Sequence, residues 1–263
     1  MILADTRLQF AIADELDLAL LSRRVIEPLT DRYPDLTVDD AYAISRRLLE
    51  RRLSRGERLL GKKIGVTSMS VQAMLGVYQP DFGFLTDAML VAVGGSVRVS
   101  DRLIQPRAEG EIAFRLAREL RGPGVSAQDV AGAIDSAMPC VEIVDSRIRD
   151  WRIQIVDTVA DNASCGLFVL GAPISPNGLD LAAVGCVMRR NGDVVGRGVG
   201  REALGSPLSS VAWLANTLSA YDIALLPGEI VLSGSLVPLE PVSAGDVIHV
   251  ALGQLGSLEV RFT

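Results

Sequence analysis

A chain of 263 residues, 49% of them hydrophobic, is long enough for one large domain or two small ones and can bury a core without disulfides. Its net charge of −6 leaves no excess of Lys and Arg to meet phosphates, which argues against nucleic acid as a partner. Three cysteines without metal-type spacing, an N-terminus carrying Asp5, Asp14, Glu15 and Asp17, and no apolar run longer than about 88–93 argue against secretion and against a membrane span. The expectation is a soluble cytoplasmic protein with reduced thiols.

Taken in chain order, residues 14–26 place Leu16, Leu18, Leu20, Leu21 and Val25 at helical spacing. Thr37 and Asp40 form a capping-box pattern ahead of a second helix, whose apolar stripe is Ala41, Ile44, Leu48 and Leu53 and whose stop is Gly56. Arg46, Arg47, Arg51, Arg52, Arg55 and Arg58, interspersed with Glu50 and Glu57, read as its solvated face. Residues 59–66 read as a strand, with Lys62 and Lys63 on opposite faces and Lys62 in solvent, and a short helix over 70–75 follows. A helix is predicted over 127–137, after the Gly122-Pro123-Gly124 loop and the Ser126 cap. Another begins at Ser206-Pro207, where Ser caps and Pro suits the first turn. Strands at 229–232, 246–252 and 257–262 close the chain. The expected fold class is α+β: a single unit over 1–263, with a helical N-terminal portion (1–60) packed on a β-rich core (61–263).

Between these elements lie three glutamates. Residues 109–116 alternate as a strand does, so Gly110, Ile112, Phe114 and Leu116 share one face while Glu109 and Glu111 point the other way. A second short strand, 141–144, offers Glu142 between apolar neighbours. Glu109 and Glu111 alone would read as a solvated face. Three carboxylates brought together repel, and burying them unpaired costs several kcal/mol. A hard divalent cation removes the conflict, and an all-oxygen donor set favours Mg²⁺ or Mn²⁺ over Zn²⁺ or copper. The lone His249, in a strand-like run, argues against histidine-ligated zinc and against Ser-His-Asp or Cys-His chemistry.

Several segments in register then carry a resemblance. They are 61–68 (Gly-Lys-Lys-Ile-Gly-Val-Thr-Ser), 79–83 (Gln-Pro-Asp-Phe-Gly), 104–112 around Glu109-Gly110-Glu111, 141–148 around Glu142, 159–166 around Asp161 and Ser164, and 232–236 around Gly234. Together the chain resembles the hydratase/decarboxylase branch of the fumarylacetoacetate hydrolase superfamily over essentially its whole length. The resemblance implies a mixed β-roll core and a divalent metal on Glu109, Glu111 and Glu142. It implies a polar catalytic pair, Lys63 and Asp81, and a substrate side lined by Asp161 and Ser164. Met69 stands where many relatives carry a basic residue; it is not a ligand position.

The implied activity is hydration of 2-hydroxypenta-2,4-dienoate to 4-hydroxy-2-oxopentanoate in meta-cleavage catabolism of aromatic rings. The competing activity is decarboxylation of 2-oxo-3-hexenedioate (4-oxalocrotonate). The apolar segment 165–170 is the expected lining for a short uncharged substrate tail. Arg107 is a candidate for holding a substrate carboxylate, or for pairing with a ligand glutamate. Asp81 and Asp161 also fit ordinary turn chemistry. Asp145 and Arg147 read as a structural ion pair, and Ser233-Gly234-Ser235 as a tight backbone approach to the site. Relatives of this kind are oligomeric, so a homo-oligomer is expected, with association between hydratase and decarboxylase of the pathway. A non-catalytic subunit is the contrasting reading, against which the intact Glu109, Glu111, Glu142 and Lys63 argue.

Overall fold

In the computed structural model, which describes residues 5–263, three helices open the chain: α1 (Thr6–Ser22), α2 (Leu29–Arg32) and α3 (Val38–Ser54). The Thr37–Asp40 box forms as expected: each residue's side chain accepts the other's backbone N–H at 3.1 Å. The first helix begins at Thr6, ahead of the predicted 14, because Asp5 caps it. The arginines of α3 are not simply solvated. Arg51 pairs with Asp14 and Arg55 with Asp17, and Arg47 lies over the Phe10 ring at 3.7 Å, so they clasp α3 to α1.

The rest alternates strands with short helices. In order come β1 (Leu59–Gly65), α4 (Met69–Leu75), β2 (Asp81–Thr86), β3 (Leu90–Val91), β4 (Ser96–Val97), α5 (Val99–Arg102), β5 (Pro106–Leu116), α6 (Ala127–Ala133) and β6 (Ile134–Asp145). Then follow α7 (Ile155–Ala160), β7 (Cys165–Leu170), β8 (Gly185–Arg190), β9 (Asp193–Val199), α8 (Pro207–Ser219), β10 (Ile230–Leu232), β11 (Glu240–Pro241), β12 (Val247–Ala251) and β13 (Ser257–Phe262). Ser206 caps α8 with Pro207 in its first turn, as the sequence requires. The helix predicted over 127–137 stops at Ala133. Ile134 instead opens a long strand, because β5 offers it a partner at Leu116 and sheet pairing overrides local helix propensity.

An eight-stranded mixed sheet runs β2-β1-β10-β5-β6-β7-β3, with β11 beside β5, and a five-stranded sheet runs β4-β13-β12-β8-β9. Register decides which residues share a face, since directly paired residues point the same way. Lys63 pairs with Gly83 and with Leu232, Gly65 with Asp81, and Glu109 directly with Glu142. These residues therefore occupy one face. The other face carries Lys62, Ile64, Phe82, Phe84, Ile112, Phe114, Val141 and Ile143; its apolar members belong to the main core. Lys62 is therefore not in solvent. It is 1% exposed and donates to both Glu229 carboxylate oxygens, at 2.7 and 2.8 Å.

Two contacts hold β2 in place. Tyr42 of α3 stacks on Phe82 at 4.2 Å between ring centroids, worth about 0.5–1.5 kcal/mol beyond the area buried. Asn162 mimics a strand neighbour: its Oδ1 accepts the Phe84 N–H at 2.8 Å and its Nδ2 donates to the Phe84 carbonyl at 3.0 Å. Both contacts act one or three residues from Asp81.

Candidate metal centre and active site

The β5–β6 pair positions the three glutamates. Glu109 faces Glu142 across the ladder and Glu111 lies one pleat along, opposite Cys140. Among the described residues, these three form the group of acidic, His or Cys side chains able to hold a metal, with ligand atoms all within 4.8 Å of one another. All three are buried. Glu111 Oε2 accepts the Gly234 N–H at 2.8 Å. Gly234 adopts φ +99°, and a Cβ there would press on the Thr67 side chain, so the backbone approach expected at 233–235 needs glycine. Glu111 Oε1 and both Glu142 oxygens are buried without a hydrogen bond.

Orphaned buried carboxylate oxygens are rare because each carries a desolvation cost. The electrostatics record the conflict. Burial, reinforced by Glu142, pushes the Glu109 carboxyl up to about 8, although Lys63 opposes it. Burial with Glu142 and Glu109 drives Glu111 well above the carboxylate range. Cys140 and Cys165 are raised by burial and by the same carboxylates, which makes them inert neighbours. Three oxygen donors with unsatisfied lone pairs at one point fit a hard divalent cation.

Lys63 Nζ lies 3.5 Å from Glu142 Oε1. Its burial opposes a charge, but Glu142, Asp81 and Glu109 together outweigh it and hold the ammonium above its ordinary range. Asp81 is the first residue of β2 and fully buried, not a solvated turn residue. Its Oδ2 accepts the Thr158 hydroxyl at 3.0 Å, and its Oδ1 has no hydrogen bond. Burial raises its carboxyl, with Lys63 pulling the other way. A Cβ on Gly65 would sit 2.1 Å from Asp81 Oδ1, so this glycine lets the carboxylate lie against β1.

Lys63, Asp81 and Glu109 line a chamber with Gly65, Val66, Val71, Leu75, Val144, Trp151, Ile153, Thr158, Ala163, Ser164 and Leu239. Its cavity volume is about 20 Å³, room for one or two waters. Its backbone is strained. Val66, Trp151, Ala163 and Ser164 have φ between +51° and +57°, a region that costs about 1–2 kcal/mol per non-glycine residue. Such strain gathers where function fixes a side chain. Asn162 anchors the 162–164 turn, and Asp157, which accepts the Leu29 N–H at 2.6 Å, anchors α7 and with it Thr158.

The remaining candidates are placed as follows. Ser164 lines the chamber; its hydroxyl is 3.4 Å from that of Thr158. Asp161 does not line it. Its carboxylate is engaged by the buried Arg147, through the Arg147 N–H at 2.8 Å and the guanidinium Nε. Arg147 thus pairs with Asp161; it reaches Asp145 only at the backbone carbonyl, 2.6 Å away. Arg107 shares the face of Glu109 but lies outside the chamber, over the Trp151 ring. Segment 165–170 is not the lining. Phe168 is buried in a separate cluster with Leu85, Met138 and Leu232. The residues missed from sequence are Thr158, Trp151 and the apolar wall. The only local signal was Trp151, a rare residue type beside the charged pair Arg149-Asp150.

Residues 62–263 match the family model described as fumarylacetoacetate hydrolase, C-terminal. The chain is 54% identical to a 2-hydroxyhexa-2,4-dienoate hydratase of Comamonas testosteroni, over 93% of this chain and 94% of that one. It is 58% identical to a 2-hydroxypent-2,4-dienoate hydratase of Pseudomonas putida, over 81% and 96%. The structure superposes with a TM-score of 0.95 on 4-oxalocrotonate decarboxylase of Pseudomonas putida G7, complexed with magnesium and adipate. That match is 38% identical and covers 100% of both chains.

Proposed function

The chain belongs to the fumarylacetoacetate hydrolase family, and from that premise we propose that it adds water to 2-hydroxypenta-2,4-dienoate, giving 4-hydroxy-2-oxopentanoate in the catabolism of aromatic rings. The observation that carries this reading is the meeting, in one buried site, of three glutamates, two of them with orphaned oxygens, with Lys63 and Asp81. Glu109, Glu111 and Glu142 would hold Mg²⁺ or Mn²⁺. When bound, the ion supplies Lewis-acid polarisation of the substrate's 2-oxygen.

The protein's own groups do the rest. Lys63 stays cationic and meets the negative charge that develops on the 2-oxygen or carboxylate. Asp81 would hold a proton at Oδ1 and give it to C5 as the dienol ketonises, while the 2-hydroxyl proton passes to a water of the chamber; Asp81 then recovers a proton from the water whose hydroxyl adds at C4, and the proton released by the 2-hydroxyl is returned to C3. Thr158 fixes Asp81 through Oδ2. Ser164 lines the substrate side. Arg107, at the outer edge, attracts the carboxylate on approach. Asp161 acts indirectly, as a positioning residue, by holding Arg147.

One observation favours a second reading, decarboxylation of 2-oxo-3-hexenedioate: the whole-chain superposition on the decarboxylase. The test is to incubate magnesium-loaded protein with freshly generated 2-hydroxypenta-2,4-dienoate and, separately, with 2-oxo-3-hexenedioate, and to identify products by mass. Gain of water on the first supports the hydratase; faster release of CO₂ from the second overturns it. The same reading makes residues 1–263 one catalytic unit that works in the cytoplasm as a homo-oligomer and associates with the pathway decarboxylase. Met69 and Tyr78, 82% and 74% exposed, are apolar surface available to such contacts. A monomeric mass by light scattering at micromolar concentration would refute the oligomer.

A further inference from the structure

Two cavities meet at Trp151. The inner one is the chamber already described. The outer one is a cleft of about 390 Å³ whose lining includes Gln105, Arg107, Trp151, Pro241 and Ser243. The polar lining of the inner chamber is Lys63, Asp81, Glu109, Thr158 and Ser164. Most of the rest is apolar, and Val71, Leu75, Val144, Trp151 and Leu239 pack against one another as a continuous patch. Arg107 belongs to the outer cleft alone. Its guanidinium lies 4.6 Å from the Trp151 ring centroid, its side-chain hydrogen bond goes to Met74 Sδ at 3.7 Å, and no ion pair among the described residues engages it.

We infer that the patch of Val71, Leu75, Val144, Trp151 and Leu239 is the specificity surface of the site. It accepts 2-hydroxy-2,4-dienoates whose C5 end bears hydrogen or a short alkyl group and rejects those ending in a second carboxylate, with Trp151 as the partition that keeps Arg107 out of reach. The inference rests on the dienoate-hydratase reading. The chamber as it stands holds one or two waters, so a substrate whose carboxylate and 2-oxygen lie against the three glutamates and Lys63 must part the apolar wall and lay its far end on it. A methyl or ethyl group there gains burial. A carboxylate there loses its water and finds no donor, which weakens binding by about a hundredfold or more. The one nearby cation that could answer it, Arg107, pairs well with carboxylates but sits behind an indole. An ordinary cation–π contact on the surface would give the same Arg107–Trp151 stack without any effect on selectivity, and that is what the experiment separates.

Magnesium-loaded wild-type protein, Trp151→Ala, Trp151→Ala/Arg107→Ala and Leu75→Arg are assayed for kcat/KM on 2-hydroxypenta-2,4-dienoate, 2-hydroxyhexa-2,4-dienoate and 2-hydroxyhepta-2,4-diene-1,7-dioate. Competitive inhibition by saturated 2-oxo monoacids and diacids of matching length is read in parallel. For the wild type, the two monoacids should exceed the diacid by about a hundredfold. Trp151→Ala should narrow that ratio at least about tenfold, and the added Arg107→Ala should restore it. Leu75→Arg sits at a half-exposed position on α4, so it tolerates a charge, and it should narrow the ratio through KM for the diacid. A wild type that handles the diacid within a few-fold of the monoacids overturns the inference while leaving the hydratase reading intact, as does a ratio unmoved in both Trp151→Ala and Leu75→Arg. If no dienoate is hydrated but saturated monoacids still bind far better than diacids, the hydratase reading falls and the specificity surface stands.

Discussion

Lys62 and Lys63 are neighbours on one strand, both buried, and they solve different electrostatic problems. Lys62 faces the main core and meets one carboxylate, Glu229, whose two oxygens both accept its protons. The charges cancel one for one, and the pair is structural. Lys63 faces the other side of the sheet and meets Glu142 at 3.5 Å, with Glu109, Glu111 and Asp81 close by. One cation stands against several carboxylates, and lone pairs are left over. A buried charge that is balanced marks architecture; a buried surplus marks a place that expects a ligand.

The comparison breaks most sharply at the glutamates. Glu109→Gln, Glu111→Gln or Glu142→Gln should each lower activity about a thousandfold or more and abolish tight Mg²⁺ binding by calorimetry. The metal-free variants should melt no lower than the metal-free parent, because each removes part of the surplus. Next, Lys63→Met and Asp81→Asn should each reduce kcat about a hundredfold to ten-thousandfold. Asp81→Asn should change metal affinity by less than about threefold, since the proposed reaction uses Asp81 to carry a proton and not to hold the metal.

Lys62→Met should behave in the opposite way. It strands Glu229 in the core and should destabilise by about 3–5 kcal/mol in urea unfolding, with kcat per folded molecule retained. Adding Glu229→Leu should recover most of the loss; a loss of kcat at full stability would erase the distinction between the two lysines. The smallest effect is a pH signature. Glu109 moves from an ordinary 4.5 to about 8 in the metal-free fold, so the folded state binds the extra proton between those values. The stability tied to that proton is complete below about 4.5 and is lost as pH rises through about 8. The metal-free Tm should therefore fall from pH 5 to 8, the metal-loaded Tm should not, and metal affinity should rise over the same range.

How much of this was legible in the sequence depended on how far apart the partners lie. The two-residue period put Glu109 and Glu111 on one face, and that is local information. Glu142 opposite Glu109 was only half legible, because the strand that carries it starts at Ile134, inside a stretch that reads as helix. The burial of Lys62 was not legible at all, since its partner lies 167 residues away. Segment 165–170 is apolar, as is the true wall, but composition cannot say which apolar run reaches the chamber. Val71, Trp151 and Leu239 come together only through the sheet and the left-handed backbone at Trp151. The Thr37–Asp40 box and the Ser206-Pro207 start were legible because capping is settled within four residues.

The parallel pairing of β1 with β10 sets an order of events for a chain being made. The glutamates travel on β5 and β6, a neighbouring antiparallel pair that needs only the 117–133 connection to form. Lys63 belongs to β1, which is joined to β5 only through residues 230–232. The acidic pair is therefore synthesised and able to fold while the cation that faces it waits for a segment made about 170 residues later. Until that segment arrives, the three carboxylates have protons, water or a metal ion for company. The site is completed only once β10 is in place between β1 and β5, and a ribosome-bound chain halted before residue 230 should bind divalent metal weakly and leave unprotected from hydrogen exchange the edge of β1 that faces away from β2.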